Sequence, residues 1–269
     1  MVLGASGMLG HTLFLKAYDL YPQRVYGTFR QPREELRSFS TLCQIELCDF
    51  KALKALLFEL KPQYVVNCAG IVKSICTDAD EAIVINAALP HFVMKQLNHW
   101  GGRLLQVSTD CIFSGNKGNY SETDIPDPED LYAKTKLMGE VYEGNHLTVR
   151  TSFIGYELGT RRGLLEWFLS QKGVVPGYCH VIWSGLTAAA LSDILLKLIF
   201  RNDITGLLNV TSKPIDKYSL LKFFIKRFER TDIELVPSKG PVIDRSLSNH
   251  KVISHGIEIP SISDMVSSL

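Results

Sequence analysis

The chain has 269 residues, 46% hydrophobic and 21% charged, which excludes extensive disorder and fits one large α/β domain or one carrying a smaller lobe. Lys and Arg number 29 against 28 Asp and Glu, a net charge of +1. That balance argues against nucleic-acid and membrane-surface proteins, which ordinarily need a net basic footprint.

The first half alternates β-rich runs with stretches of helical period, the pattern of a parallel sheet covered on both faces. Strands are predicted at 1–3, 24–28, 44–47, 64–68, 103–108 and 148–151, with helices at 8–20, 51–60, 81–99 and 131–143. Leu53, Leu56, Leu57 and Leu60 fall at helical spacing and should face the sheet. Gly101 and Gly102 should end the long third helix. After Thr151 the rhythm changes: a loop at 155–163, helices at 164–171, 187–200 and 218–228, and a strand at 206–210. The expected fold is α/β, a Rossmann-type doubly wound parallel sheet with a smaller C-terminal substrate lobe. The dinucleotide-binding domain is expected over 1–153, its sheet completed by about 186–213, and the lobe over 154–185 and 214–269. A first strand of Met1, Val2 and Leu3 is short for a central strand, so the natural chain is expected to start a few residues earlier.

No apolar run reaches the length of a membrane span, and the first residues lack the basic and apolar regions of a signal peptide. The cysteines (Cys43, Cys48, Cys68, Cys76, Cys111, Cys179) form no C-x-x-C pair and read as reduced. No histidine pair has metal-ligand spacing, so no metal site is predicted. A soluble, cytoplasmic protein is expected.

The first chemical signal is Gly4-Ala5-Ser6-Gly7-Met8-Leu9-Gly10, between a strand and a helix. Glycine permits the tight turn and a close backbone approach, and the helix N-terminus offers free N–H groups to a diphosphate. The alternative is a turn needed only for helix–strand packing. The second strand ends without the acid that selects NAD. Arg30, with Arg33 nearby, suits the 2′-phosphate of NADP or is simply a solvated arginine. The third signal is Tyr132-x-x-x-Lys136 on one helical face, with Ser108-Thr109-Asp110 at the end of the preceding strand. An ammonium beside a phenol stabilises phenolate, which is expected to bring Tyr132 toward the working pH as a general acid or base.

These motifs, together with Asn67-Cys68-Ala69-Gly70, resemble the short-chain dehydrogenase/reductase superfamily in order and spacing. Residues 108–115 and 132–140 resemble its extended, nucleotide-sugar branch, and within it the dTDP-4-dehydrorhamnose reductase-like group. The resemblance is specific over the first 155 residues or so and diffuse beyond. It implies an NADP-preferring reductase of a nucleotide-linked 4-keto-6-deoxy sugar in surface polysaccharide precursor synthesis, with NAD the alternative cofactor. Thr109 would polarise the keto group, Tyr132 would donate the proton, and Lys136 would hold the ribose and tune Tyr132. Gly4, Ser6, Gly7, Met8 and Leu9 would line the pyrophosphate. Arg30 would meet the 2′-phosphate, Asp49 and Phe50 the adenine, and Cys68, Ala69 and Gly70 would pass under the cofactor, with Asn86 and Ser108 supporting this region. Lys73, Thr109, Thr151 and Arg245 are the substrate candidates, with Arg161, Arg162 and Lys172 further cations in the lobe.

Ile71-Val72-Lys73 replaces a more polar segment of the dTDP-rhamnose enzyme, which leaves the sugar open. Cys111 stands where 4,6-dehydratases carry the second acid of Thr-Asp-Glu, which disfavours dehydration. The other readings are a nucleotide-sugar epimerase and a non-catalytic NADP-binding regulatory subunit, since the group includes the β subunit of methionine adenosyltransferase. Expected partners are the nucleotide-sugar substrate and a second copy in a homodimer, with neither nucleic acid nor membrane.

Overall fold

The computed structural model describes residues 1–72, 76, 78–159 and 161–269. Its first elements follow the predicted alternation: β1 (Val2–Leu3), α1 (Met8–Leu20), β2 (Gly27–Phe29), β3 (Leu42–Gln44), α2 (Phe50–Leu60) and β4 (Tyr64–Asn67). There follow α3 (Ala79–Ala82), which runs through a π-helical turn (Ile83–Ala88) into α4 (Leu89–Leu97), then β5 (Arg103–Val107), α5 (Leu131–Met138) and β6 (Leu147–Arg150). Further along come β7 (Phe153–Ile154), α6 (Leu164–Ser170), β8 (Gly173–Tyr178), β9 (Val181–Trp183), β10 (Leu186–Thr187), α7 (Ala188–Leu198) and β11 (Gly206–Asn209). The chain closes with β12 (Ile215–Asp216), α8 (Lys217–Arg227), β13 (Ile233–Ser238), β14 (Ile243–Asp244), α9 (His250–Ser254) and α10 (Ile262–Ser267).

Seven parallel strands form one sheet in the order β11-β6-β5-β4-β1-β2-β3, with the chain reversing direction across the sheet at β1. Alternate residues of each strand face opposite layers. Val2, Val66 and Leu105 pack with Leu13 and Phe14 of α1 and Leu191, Ile194 and Leu195 of α7. Their neighbours Leu3, Val65 and Leu104 pack with Leu53 and Leu57 of α2 and Leu89, Val93 and Leu97 of α4. Each such buried side chain contributes roughly 1.5–3 kcal/mol of transfer free energy.

The departures from the predicted elements have local causes. Helix α5 stops at Met138, five residues short of its predicted end at 143, because the next residues leave it for the sheet. There Gly139 lies so close to the Asn86 carbonyl that a Cβ would sit 1.9 Å from it. Val141 then exchanges hydrogen bonds with the Thr148 side chain, which turns the chain into β6. Strand β3 lies earlier than predicted because Leu42 pairs with Gly27. The parallel pair β8–β13 was unpredicted: it contains Pro176 and Pro237, which argue against a central strand but are tolerated in a two-stranded ribbon with free edges.

A second core lies under that ribbon, formed by Leu165, Phe168, Val175, Trp183, Leu220, Leu221, Phe224 and Ile233. Beside it, β9 is flanked by β12 and β14, which sets Trp183 opposite Ile215 and Ile182 opposite both Asp216 and Asp244. This small sheet carries Trp183, Lys217 and Arg245 toward the carboxyl ends of β5 and β6. Among the described residues no helix is long and apolar enough to cross a membrane, and no cluster of three or more metal-ligating side chains forms.

Candidate active site

The turn from β1 to α1 is built by glycines doing different jobs. Gly4 has φ +77, and a Cβ on it would meet the Ala69 backbone at 2.9 Å. On Gly10 a Cβ would lie 2.0 Å from the Gly4 carbonyl, so this position is fixed by packing. Gly7 differs: its nearest neighbour would be 3.4 Å away, and the residue is exposed. It begins α1 without a side-chain cap and without an acid in the first turn, so the helix presents open N–H groups and the positive end of its dipole. The space in front of Gly7 and the uncapped helix end therefore suit a diphosphate. Leu9 is buried in the core, leaving only its backbone to serve such a ligand. Ser6 is half-buried in the turn, and Met8 reaches under Gly163 of the loop after β7.

Arg30 follows β2 and pairs with Glu81 at 2.9 Å on an exposed surface. Arg33 lies against Gly159, its Nε buried without a partner. Asp49 caps α2, accepting from the backbone N–H of Lys51 and Ala52 at 3.1 and 2.9 Å, while Phe50 stacks on Phe92 at 4.4 Å. Both predicted adenine residues thus also have work within the fold.

Beyond β4, Cys68, Ala69 and Gly70 run between the glycine turn and α5. Burial pushes the Cys68 thiol up to about 12, opposed by the nearby Lys136 ammonium. A Cβ on Gly70 would lie 3.3 Å from Asn86 Oδ1 and 4.0 Å from Lys136 Nζ. Asn86, in the π-helical turn, locks this loop to α5. Its Oδ1 accepts from the Ile71 N–H at 2.8 Å, and its Nδ2 donates to the Ile71 carbonyl and to Thr135 Oγ1, both at 3.1 Å. A π-helical turn at such a point is a common feature of functional sites.

Three predicted catalytic residues converge beside this loop. Thr109 caps the short turn after β5, its Oγ1 donating to Asp110 Oδ1 at 3.2 Å and accepting from the Cys111 N–H at 3.2 Å, and it hydrogen bonds with Tyr132. Asp130 caps α5 through the Ala133 N–H at 2.8 Å. Lys136 donates to the Val107 carbonyl at 2.6 Å. Burial lowers its ammonium to about 8, with Glu140 and Cys68 opposing.

The groups that shift the Tyr132 phenol come from the turn after β5 and the start of α5. Burial raises the phenol above its ordinary value, Cys111, Asp110 and Asp130 add to that, and the Thr109 hydrogen bond opposes them. The Lys136 ammonium gives one of its three N–H groups to the Val107 carbonyl, and the phenol lies by the acidic turn. Ser108 likewise points away, donating to Glu140 Oε1 at 2.8 Å. Behind it Arg150 grips Glu140 bidentately, at 2.8 and 2.7 Å, with both side chains buried.

Of the predicted substrate residues, Thr151 is buried, and its carbonyl accepts from the Asp110 N–H at 3.1 Å. Arg245 donates to the Phe113 carbonyl at 2.8 Å and approaches Glu129 at 3.6 Å. Lys73 lies outside the described residues. Arg161, Arg162 and Lys172 are exposed. Sequence reasoning missed Lys217, whose ammonium sits 5.2 Å from the centre of the Trp183 ring and faces Asp110 and Cys111. It belongs to no motif, and only the pairing of β12 with β9 brings it to the site.

The fold and this constellation place a candidate site at the carboxyl ends of a parallel sheet. The chain belongs to the RmlD substrate binding domain family, whose model matches residues 1–169. It is 31% identical over 152 residues to the methionine adenosyltransferase 2 subunit beta of Rattus norvegicus, covering 54% of this chain and 43% of that protein. It is 29% identical over 147 residues to the dTDP-4-dehydrorhamnose reductase of Mycobacterium tuberculosis, covering 52% and 43%. The matches thus span less than half the length of these relatives. Among solved structures, a dTDP-4-dehydrorhamnose reductase of Bacillus anthracis in complex with NADP superposes with TM-score 0.79 at 18% identity, covering 99% of this chain and 96% of that one.

Proposed function

We propose that the protein is an NADP-preferring reductase of a nucleotide-linked 4-keto-6-deoxy sugar, acting in surface polysaccharide precursor synthesis in the cytoplasm. The observation that carries this reading is the convergence of Thr109, Tyr132 and Lys136 beside the Gly70 loop and the open end of α1. The diphosphate would lie at Gly7 and the first turn of α1, the ribose at Lys136, and the 2′-phosphate near Arg30 and Arg33. Asp49 and Phe50 would border the adenine, and Cys68 to Gly70 the nicotinamide end. Bound there, the nicotinamide supplies a hydride to a carbonyl carbon.

The protein's own part is the oxygen. Thr109, its hydroxyl turned from Asp110, would donate a hydrogen bond to it and Tyr132 would give it a proton. A phenol is protonated near neutral pH, the form needed to begin reduction. Residues 154–185 and 214–269 would form the substrate lobe, with Thr151 and Arg245 bordering the sugar and Lys73 a further candidate.

The test is oxidation of NADPH and NADH with a panel of nucleotide-linked 4-keto-6-deoxy sugars. NADPH turnover with one sugar should fall about 100- to 10,000-fold in Tyr132→Phe. Tight NADPH binding with no turnover on any sugar would favour the second reading, a non-catalytic regulatory subunit. That reading is supported by the likeness to the methionine adenosyltransferase subunits.

A further inference from the structure

The second strand ends without an acid, yet a carboxylate stands beside Arg30 all the same. It comes from α3, where Glu81 Oε1 accepts from Arg30 Nη1 at 2.9 Å. Both backbones are fixed independently of that bond. Gly4 donates to Thr28 Oγ1 at 3.0 Å and Ala5 to the Thr28 carbonyl at 2.7 Å, which ties the glycine turn to a point two residues before Arg30. Gln44 of β3 donates to the Arg30 carbonyl at 3.1 Å. On the other side Asp78 caps α3, accepting from the N–H groups of Asp80 and Glu81 at 2.9 and 3.2 Å. The two side chains themselves are 56% and 41% exposed, so the pair opens at little cost.

A dinucleotide laid along such a turn brings its adenosine ribose to the end of the second strand, where an acid accepts from a 2′-hydroxyl and an arginine takes a 2′-phosphate. Here both groups are present, joined to each other. A 2′-hydroxyl can donate to the Glu81 carboxylate while the bond to Arg30 stays closed, because a carboxylate has acceptor sites to spare. A 2′-phosphate must take Arg30 from Glu81 and is repelled by the carboxylate it displaces. We infer that Glu81 is a specificity-determining residue, the counter-ion that NADP displaces from Arg30 and NAD leaves in place. Glu81 thereby holds down the preference for NADP. This rests on the proposed cofactor site and adds to it the residue, from outside the second strand, that sets the ratio of the two dinucleotides.

Binding tests this without a sugar and without catalysis. NADPH and NADH are each titrated by fluorescence into the native chain and into Glu81→Ala, Asp80→Ala and Arg30→Gln variants, with circular dichroism checking each fold. Glu81→Ala should raise the preference for NADPH over NADH by about two- to fivefold, the worth of an exposed ion pair. Asp80→Ala removes a neighbouring acid of the same turn and should move the ratio far less. Arg30→Gln should weaken NADPH binding roughly tenfold or more, and NADH binding less. An unchanged ratio in Glu81→Ala, or an equal rise in Asp80→Ala, overturns the role of Glu81 alone. NADPH affinity untouched in Arg30→Gln puts the 2′-phosphate elsewhere and overturns it too. The expected shifts with no hydride transfer to any nucleotide-linked sugar overturn the reductase reading alone. Binding of neither dinucleotide by the native chain overturns the cofactor site and the role of Glu81 with it.

Discussion

Two sets of buried charges flank the candidate site and are handled in opposite ways. Behind it, Arg150 and Glu140 meet through paired hydrogen bonds of 2.8 and 2.7 Å, and Ser108 takes a further bond to the same carboxylate. In front, Lys217 and Asp110 close no such pair: the Lys217 ammonium lies 5.2 Å from the centre of the Trp183 ring, and Asp110 accepts from Thr109. A buried pair that closes on itself holds the chain and offers a ligand little, whereas a pair left open retains donor and acceptor capacity. The same contrast runs through the glycines: Gly10 is pressed against backbone, while Gly7 faces space.

The largest effect that would sharpen this contrast is at the closed pair. Glu140→Ala leaves the Arg150 guanidinium buried with its main partner gone, a change that typically costs about 3–5 kcal/mol. Urea unfolding should show that loss, and a stability within about 1 kcal/mol of native would mean that the pair does not hold the sheet to α5. Next come the glycines. Gly10→Ala should disrupt the β1–α1 packing and lower the melting temperature, because a Cβ would sit 2.0 Å from a carbonyl oxygen. Gly7→Ala should leave the melting temperature nearly unchanged yet weaken NADPH binding, its Cβ entering the space in front of the helix. If Gly7→Ala binds NADPH as the native chain does, the motif is a packing device and the open-site account of α1 fails.

How far the sequence was legible follows the same division. The glycine turn and the Tyr132-x-x-x-Lys136 spacing are local patterns, and α1 occupies the range its periodicity predicts. Local patterning also located the sheet strands to within a few residues. What could not be read was set by contacts between distant segments. Helix α5 is shortened by the Asn86 carbonyl, Ser108 is turned back by Glu140, and Lys217 reaches the site only through the pairing of β12 with β9. Spacing put Lys136 on the phenol's side of the helix, but its bond to the Val107 carbonyl, from another strand, was not legible.

The smallest effect is a pH dependence that separates Lys136 from the open pair in front. Burial lowers its ammonium from 10.5 to about 8, so below pH 8 the lysine is charged in folded and unfolded chains alike and the fold bears the cost. Between about 8 and 10.5 the unfolded chain still holds a proton that the folded chain has released. Stability relative to a Lys136→Met variant should therefore rise with pH across that window, by at most about 1.4 kcal/mol per unit. A bound dinucleotide would reverse the balance, because the ribose hydroxyls placed at Lys136 accept hydrogen bonds from the charged ammonium. NADPH affinity should thus fall as pH rises through about 8, and the fall should be absent in Lys136→Met. Fluorescence titration from pH 7 to pH 9.5 would check this. An identical decline in both proteins would assign the titration elsewhere, with Lys217, also lowered to about 8, the first residue to replace.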